Sequence, residues 1–446
     1  LNSAREFSAE DNPMNRRTFL KTTGVAATTP LLSELVAGAS AAPDIQHVVV
    51  VMMENRSFDH LFGWLPNADG KQAGLEYPNK TGGHNATWEL APDFTGCAYG
   101  DPDHSYSGAR LEVNGGKMNG FLMPESSGLN AIGYYREQDL PFRAALARNY
   151  TTCDRYFPSI LGPTFPNRIF QHAGATDRLD DSFSVSALPT IWDNLAAKGV
   201  SHRYYFSNIP FLALWGQKYV DICGLYAEFL ADCAAGTLPA VSFVDPTYTT
   251  LDNLDEDDHP YSDVRNGDAF LAKTFKAVSS SPNWPNTVLI FNYDEWGGFY
   301  DHVPPPRALA PNDVDTDLVD GKALLGCRTP TIVVSPWTLG NPSHPRVNHT
   351  VFDHTSVLKL IESVWDVPPV AAREKSNDVG NLLEVLGSNH QPAVPALPDP
   401  GYVTPSTLCI SSTDPSGAPS SPDDEPTVFL AMLKSGILKG FPGFPL

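Results

Sequence analysis

Basic residues are scarce in this chain. Thirty Lys and Arg stand against 51 Asp and Glu, giving a formal net charge of −21 over 446 residues. Tracking a nucleic-acid backbone needs clustered cations to displace its counterions, so nucleic acid is excluded as a partner. The plain consequence of the acidity is solubility, and part of it sits in loop-like stretches, Leu251–His259 and Pro311–Asp320. None of the six cysteines (Cys97, Cys153, Cys223, Cys233, Cys327, Cys409) shows CxxC spacing, which argues against a zinc-thiolate or redox motif. An even count permits disulfides in an exported protein, and Cys223 with Cys233, flanking a helix-like segment, is the expected pair. No apolar run beyond the amino-terminal stretch is long enough to span a bilayer. No internal repeat is present.

The amino terminus carries an address. Met14–Lys21 (MNRRTFLK) has paired Arg16 and Arg17, then a weakly apolar stretch ending in small residues at Ala39, Ala41 and Ala42. This pattern predicts a twin-arginine export signal, use of the twin-arginine export machinery, and a periplasmic or secreted protein. Residues 1–42 are therefore set apart as upstream sequence plus signal. A domain over 43–390 follows, then a Pro/Ser-rich tail over 391–446 whose Val428–Leu433 stretch predicts a final helix.

Within 43–390, apolar runs alternate with helical spacing. His47–Met53 (HVVVVMM), His202–Phe206, Ala240–Val244, Thr287–Asn292 (TVLIFN) and Thr331–Val334 read as strands. Thr190–Lys198, Asp268–Val278 and His354–Trp365 read as helices. The expectation is an α/β fold with a mainly parallel central sheet and helices on both faces. Residues from about 66 to 150 show little periodicity and read as a loop-rich excursion over a pocket.

Two strands end on acids. Glu54 and Asn55 follow the first run, and Asp294 and Glu295 follow the Thr287 run. Groups at the carboxyl ends of parallel strands are where open α/β sheets place their chemistry. Three carboxylates and an amide are hard oxygen donors, suited to one divalent cation, with Ca²⁺, Mg²⁺ or Mn²⁺ ahead of Zn²⁺. Between them lies Gly162–Gln171 (GPTFPNRIFQ), a turn into a helix with Thr164 just before it and Pro166 at an early position. Free amides there would favour phosphate, and a cation would activate the hydroxyl. On residue type alone Thr164 is better read as a helix cap.

Several motifs change that reading. ENRSFDHLFG (54–63), DPDHSY (101–106), KMNGF (117–121), TFPNR (164–168), LPAVSFVDP (238–246), DHP (258–260) and DEWGGFYDHVPPP (294–306) occur in this order. Together they resemble the bacterial phospholipase C and acid phosphatase family. That phosphoesterase family includes plant non-specific phospholipases C and belongs to the alkaline phosphatase superfamily. The resemblance runs from about residue 45 to 365 and implies an alkaline-phosphatase-like fold. It implies metal ligation by Glu54, Asn55, Asp294 and Glu295, and a phosphoryl-accepting, metal-touching nucleophile at Thr164. It also implies pocket histidines at His104 and His259. His60, His302 and His354 fall in shared motifs without an assigned duty, whereas Arg56, Asp59 and Arg168 are expected to brace the site. Trp296 stands where many relatives carry His, and either stacks on a choline-like cation or packs.

The resemblance predicts an exported metal-dependent phosphoesterase of phospholipase C type, cleaving phospholipid or phosphocholine esters through a phospho-threonine intermediate. Transient contact with a membrane surface is expected with it. The chain lacks the long carboxyl-terminal extension of the haemolytic members, which speaks against membrane damage. Aromatics at Trp88, Phe94, Tyr99, Tyr134 and Tyr135 favour a lipid or choline ester over the nearest rival, an acid phosphatase acting on monoesters. A non-catalytic exported binding protein is the rival of another class. A sulfatase is disfavoured by the absence of a Cys-x-Pro-x-Arg setting.

Overall fold

The run His47–Met53 forms strand β1, buried on both faces from Val48 onward. In the computed structural model, which describes residues 43–248, 255–404 and 425–444, it lies inside an eight-stranded sheet. The other strands are β2 (Thr151–Cys153), β3 (His202–Phe206), β4 (Cys223–Leu225), β5 (Val241–Val244), β6 (Thr287–Tyr293), β7 (Ile332–Val334) and β8 (Arg346–Asn348). Their order is β8-β2-β7-β6-β1-β5-β3-β4. Every neighbouring pair is parallel except those of β7, which runs antiparallel to β6 and to β2. The expected α/β class, with a mainly parallel sheet, is what the chain adopts. The twin-arginine stretch and Cys409 lie outside the described residues.

Strand alternation divides the core between the two faces. Val48, Val50, Val288 and Ile290 pack with Phe165, Ile169, Trp192, Leu195, Leu358 and Ile361, from helices Thr164–Ala173, Ile191–Lys198 and His354–Trp365. Val49, Val51, Met53, Leu289 and Phe291 pack on the other face with Leu146, Phe229, Phe270 and Phe275, from helices Pro141–Asn149, Tyr226–Ala235 and Val264–Ser279. Each fully buried side chain of this kind contributes roughly 1.5–3 kcal/mol. A one-residue slip of β1 would exchange both sets, so its register is firmly held.

One expectation is refined and one corrected. Residues 66–150 are loop-rich as expected but also carry helices at Tyr106–Val113 and Pro141–Asn149. Helices of 8 and 9 residues are too short to repeat an apolar face convincingly. Cys223 and Cys233 do not pair: both are free and buried, as are Cys153 and Cys327, while Cys97 is disulfide-bonded. The reason is geometric, since Cys223 packs into the core on one face of the sheet and Cys233 into the core on the other. The expected final helix is present as Glu425–Ser435. No described helix is long and apolar enough to cross a membrane.

Candidate active site

Strands β1 and β6 are parallel and in register from His47↔Thr287 to Met53↔Tyr293. The residues that follow, Glu54 and Asp294, therefore emerge side by side. Asp294 anchors the junction: its Oδ1 accepts from the Asn55 amide at 3.1 Å and the Glu295 amide at 2.7 Å. Asn55 takes a left-handed backbone (φ 57°), which asparagine tolerates better than most residues. Gly297, also at positive φ, lies against it. A Cβ on Gly297 would lie 2.1 Å from the Asn55 backbone oxygen, so the two strand-end turns fit only with glycine at that point.

Thr164 is the first residue of its helix, with Pro163 as the cap, rather than the residue before it. It caps nothing through its side chain. Instead its Oγ1 donates to Asn55 Oδ1 at 3.2 Å. Asn167 pins the approach by accepting from the Ile160 amide and donating to the Gly162 and Pro163 carbonyls. The expectation of open helix-end amides is corrected at one position: the Phe165 N–H donates to Asp181 Oδ1 at 2.7 Å. One turn on, buried Arg168 reaches Glu54 at 2.9 Å, Asp294 at 3.0 Å and Asp245 at 3.3 Å, and donates to Tyr248 Oη at 2.6 Å.

Glu54, Asn55, Thr164, Asp294 and Glu295 are all fully buried. Burial raises the Asp294 carboxyl above its ordinary value, against the opposing pull of Arg168. Burial and then the Asp294 charge hold Glu295 well above its own, His104 opposing. Glu295 Oε2 accepts from the Gly297 amide at 2.7 Å, while Oε1 is buried with no hydrogen-bond partner among the described residues. An orphaned buried carboxylate oxygen beside a second acid is what a hard cation would satisfy, so the donor set fits a divalent metal. The fit is looser than a ready cage. Among the described residues, the trios of acidic or histidine side chains whose donor atoms all lie within 4.8 Å are Asp101–His104–His259 and Asp59–Asp301–His302. The trio Glu54–Asp294–Glu295 is not among them.

His104 and His259 meet nearly edge to face, with ring centroids 5.9 Å apart. Their Nδ1 atoms are tied to the Pro102 and Pro260 carbonyls. His104 Nε2 lies 3.5 Å from Asn55 Nδ2, which links the histidines to Thr164. Asp101 Oδ2 lies 4.0 Å from His104 Nδ1 and 3.9 Å from His259 Nε2. Burial opposes charge on His104, but the carboxylates of Glu295, Asp101 and Asp181 outweigh it and raise its value to about 10. Burial and the neighbouring His104 charge push His259 well below the ordinary range. The two rings are thus shifted in opposite directions, the arrangement an acid–base pair needs.

The remaining expectations sort by position. His354 Nε2–H donates to the Asp294 carbonyl at 2.8 Å and its Nδ1 meets Tyr156 Oη, so it braces the acid turn from behind. His302 joins Asp59 and Asp69, in a network that Arg328 shares with Asp301. That trio already has its cation. His60 is buried against Tyr135, Phe299 and Arg56. Trp296 packs: it is fully buried and its Nε1–H donates to Glu112 at 2.8 Å. The aromatics expected to meet a lipid largely meet each other, Phe94 stacked on Tyr135 and Trp88 against Tyr99. Sequence reading passed over Asp101 and Asp181. The first stands three residues before His104 in DPDHSY, whereas nothing in the chain around Asp181 signals its contact with the helix.

The profile of the Phosphoesterase family matches residues 45–368. Non-specific phospholipase C1 of Arabidopsis thaliana is 32% identical over 359 residues, covering 72% of this chain and 67% of that protein. Phospholipase C A of Mycobacterium tuberculosis is 32% identical over 455 residues, covering 84% and 85%. A solved protein in the alkaline phosphatase superfamily from Vibrio parahaemolyticus aligns over 78% of this chain and 71% of its own, at 12% identity and a TM-score of 0.38, a loose likeness. With the family profile spanning most of the chain, and phospholipases C among its relatives, this protein belongs to the phosphoesterase family.

Proposed function

We propose that the chain is an exported, metal-dependent phospholipase C that cleaves a phospholipid or phosphocholine ester through a phospho-threonine intermediate. The observation that carries this reading is the Thr164 hydroxyl bonded to Asn55, between two strand-end acid turns brought together by the β1–β6 register. Relatives named phospholipase C support the substrate class. Glu54, Asn55, Asp294, Glu295 and the Thr164 oxygen would hold a divalent cation, Ca²⁺, Mg²⁺ or Mn²⁺ before Zn²⁺ given the all-oxygen donors. When bound, such a cation would lower the hydroxyl's pKa and offset charge on the phosphate oxygens.

The chain's own residues supply the rest. Thr164 Oγ1, its proton released to solvent, bonds to phosphorus as the bond to the diacylglycerol oxygen breaks. His104, protonated, gives its proton to that departing oxygen. Water then attacks the phospho-threonine and neutral His259 takes its proton, passing it to the Thr164 oxygen as the Thr164–phosphorus bond breaks; the phosphorylated head group leaves and His104 regains its proton from solvent. Hydrolysis of p-nitrophenylphosphorylcholine by the wild type and by Thr164→Ala tests this. Wild-type turnover with loss of more than about a thousand-fold in the variant is expected, and undiminished hydrolysis by the variant would refute it. A wild type faster on p-nitrophenyl phosphate would assign the same machinery to monoesters.

A further inference from the structure

The helix Glu425–Ser435 lies beyond residue 368, where the family match ends. Its Phe429 is fully buried and reaches the underside of the site. The Phe429 ring lies 6.0 Å from Phe165, the residue directly after Thr164, and 5.1 Å from Tyr248. Phe165 also meets Phe211 edge-on at 5.1 Å. Above these rings sits the Arg168 guanidinium, 4.9 Å from the Tyr248 centroid and 5.5 Å from that of Phe211. Tyr248 also accepts its hydrogen bond, and the same guanidinium spans Glu54 and Asp294.

Phe429 therefore touches both supports of the site: the neighbour of the proposed nucleophile, and the partner of the arginine that bridges the two acid turns. Interior packing leaves few voids, so removing a ring lets its neighbours shift into the space. A shift of Phe165 moves Thr164 with it through one peptide bond. A shift of Tyr248 releases one side of Arg168. Leu438, nearly as buried in the same carboxyl-terminal segment, belongs to the same core without a ring against Phe165.

We propose that the carboxyl-terminal helix is part of the catalytic apparatus, with Phe429 a positioning residue that fixes Thr164 and Arg168 against the acid turns. This rests on the phosphoesterase reading above. The test uses the full chain with Phe429→Ala, Phe429→Leu and Leu438→Ala, assayed on p-nitrophenylphosphorylcholine well below each variant's melting temperature. Phe429→Ala is expected to lower kcat about ten- to hundred-fold with KM within about two-fold. Phe429→Leu should recover most of that loss. Leu438→Ala should lower the melting temperature comparably and keep kcat within about two-fold. 4-Fluorophenylalanine at position 165 gives a readout independent of turnover, its ¹⁹F resonance shifting in Phe429→Ala and not in Leu438→Ala. An unchanged resonance, an unchanged kcat in folded Phe429→Ala, or an equal kcat loss in Leu438→Ala overturns the proposal. A wild type that hydrolyses no phosphate ester overturns the phosphoesterase reading, and the resonance then decides the packing claim alone.

Discussion

Arg168 serves three buried carboxylates, Glu54, Asp245 and Asp294, with one guanidinium. A planar fork with five donors can do this, and the point charge of a lysine cannot. A different economy holds at Glu362 and Glu374, two buried acids beside a surface cavity of about 740 Å³. Burial, then the nearby Glu374 charge, raises Glu362 from 4.5 to about 8. Burial likewise raises Glu374 from 4.5 to about 7. Between the unfolded and folded values the folded chain binds more protons, so these carboxyls subtract stability as pH rises from about 4.5 to about 8. The loss attributable to Glu362 is on the order of a few kcal/mol. Urea unfolding of the wild type and Glu362→Gln at pH 5 and pH 8 measures it. The variant should gain on the wild type as pH rises, and parallel pH dependences would exclude the effect.

At the scale of elements, the site is a product of register. Parallel, in-register β1 and β6 carry their next residues to one place, and Gly297 lets the second strand end lie directly against Asn55. Gly297→Ala puts a methyl group against the Asn55 carbonyl and forces a residue with a Cβ to positive φ. The expected cost is roughly 1–3 kcal/mol of stability, read by urea unfolding. Hydrolysis should fall as well, because the strain is relieved by moving Asn55, the hydrogen-bond acceptor of Thr164. Wild-type stability in this variant would mean that the two turns are less tightly fitted than described.

For the molecule as a whole, charge is the dominant fact. The formal net charge is −21, and Glu54, Asp294 and Glu295 are fully buried, the first two on one shared arginine. Folding therefore gathers acidic groups where water does not solvate them, and their charged forms are disfavoured until a cation joins them. A bound divalent cation should stabilise the folded state by RT ln(1 + [L]/Kd), about 2.7 kcal/mol at a hundred-fold excess over Kd. Thermal unfolding in the presence of Ca²⁺, Mg²⁺ or Mn²⁺ should show a raised midpoint that chelator reverses. Glu295→Gln should blunt the shift. A midpoint indifferent to all three ions and to chelator would count against metal binding.

Much of this was legible in the linear chain. HVVVVMM and TVLIFN are too apolar for half-exposed strands, and their burial on both faces is local chemistry written out. The motifs around Glu54, Thr164 and Asp294 announced a phosphoesterase because a reacting site restricts residue type at each position. Short helices such as Pro141–Asn149 escaped notice for want of a repeated face, and the Cys223–Cys233 pairing failed because nearness in sequence says nothing about which side of a sheet a residue faces. Only the folded structure decided that Asp181 covers an amide at the head of the Thr164 helix, that Trp296 is buried with its Nε1–H on Glu112, and that Phe429 packs beneath Phe165 and Tyr248. Periodicity is a property of neighbours along the backbone. Contacts between segments hundreds of residues apart depend on sheet order and crossover, which no local pattern encodes.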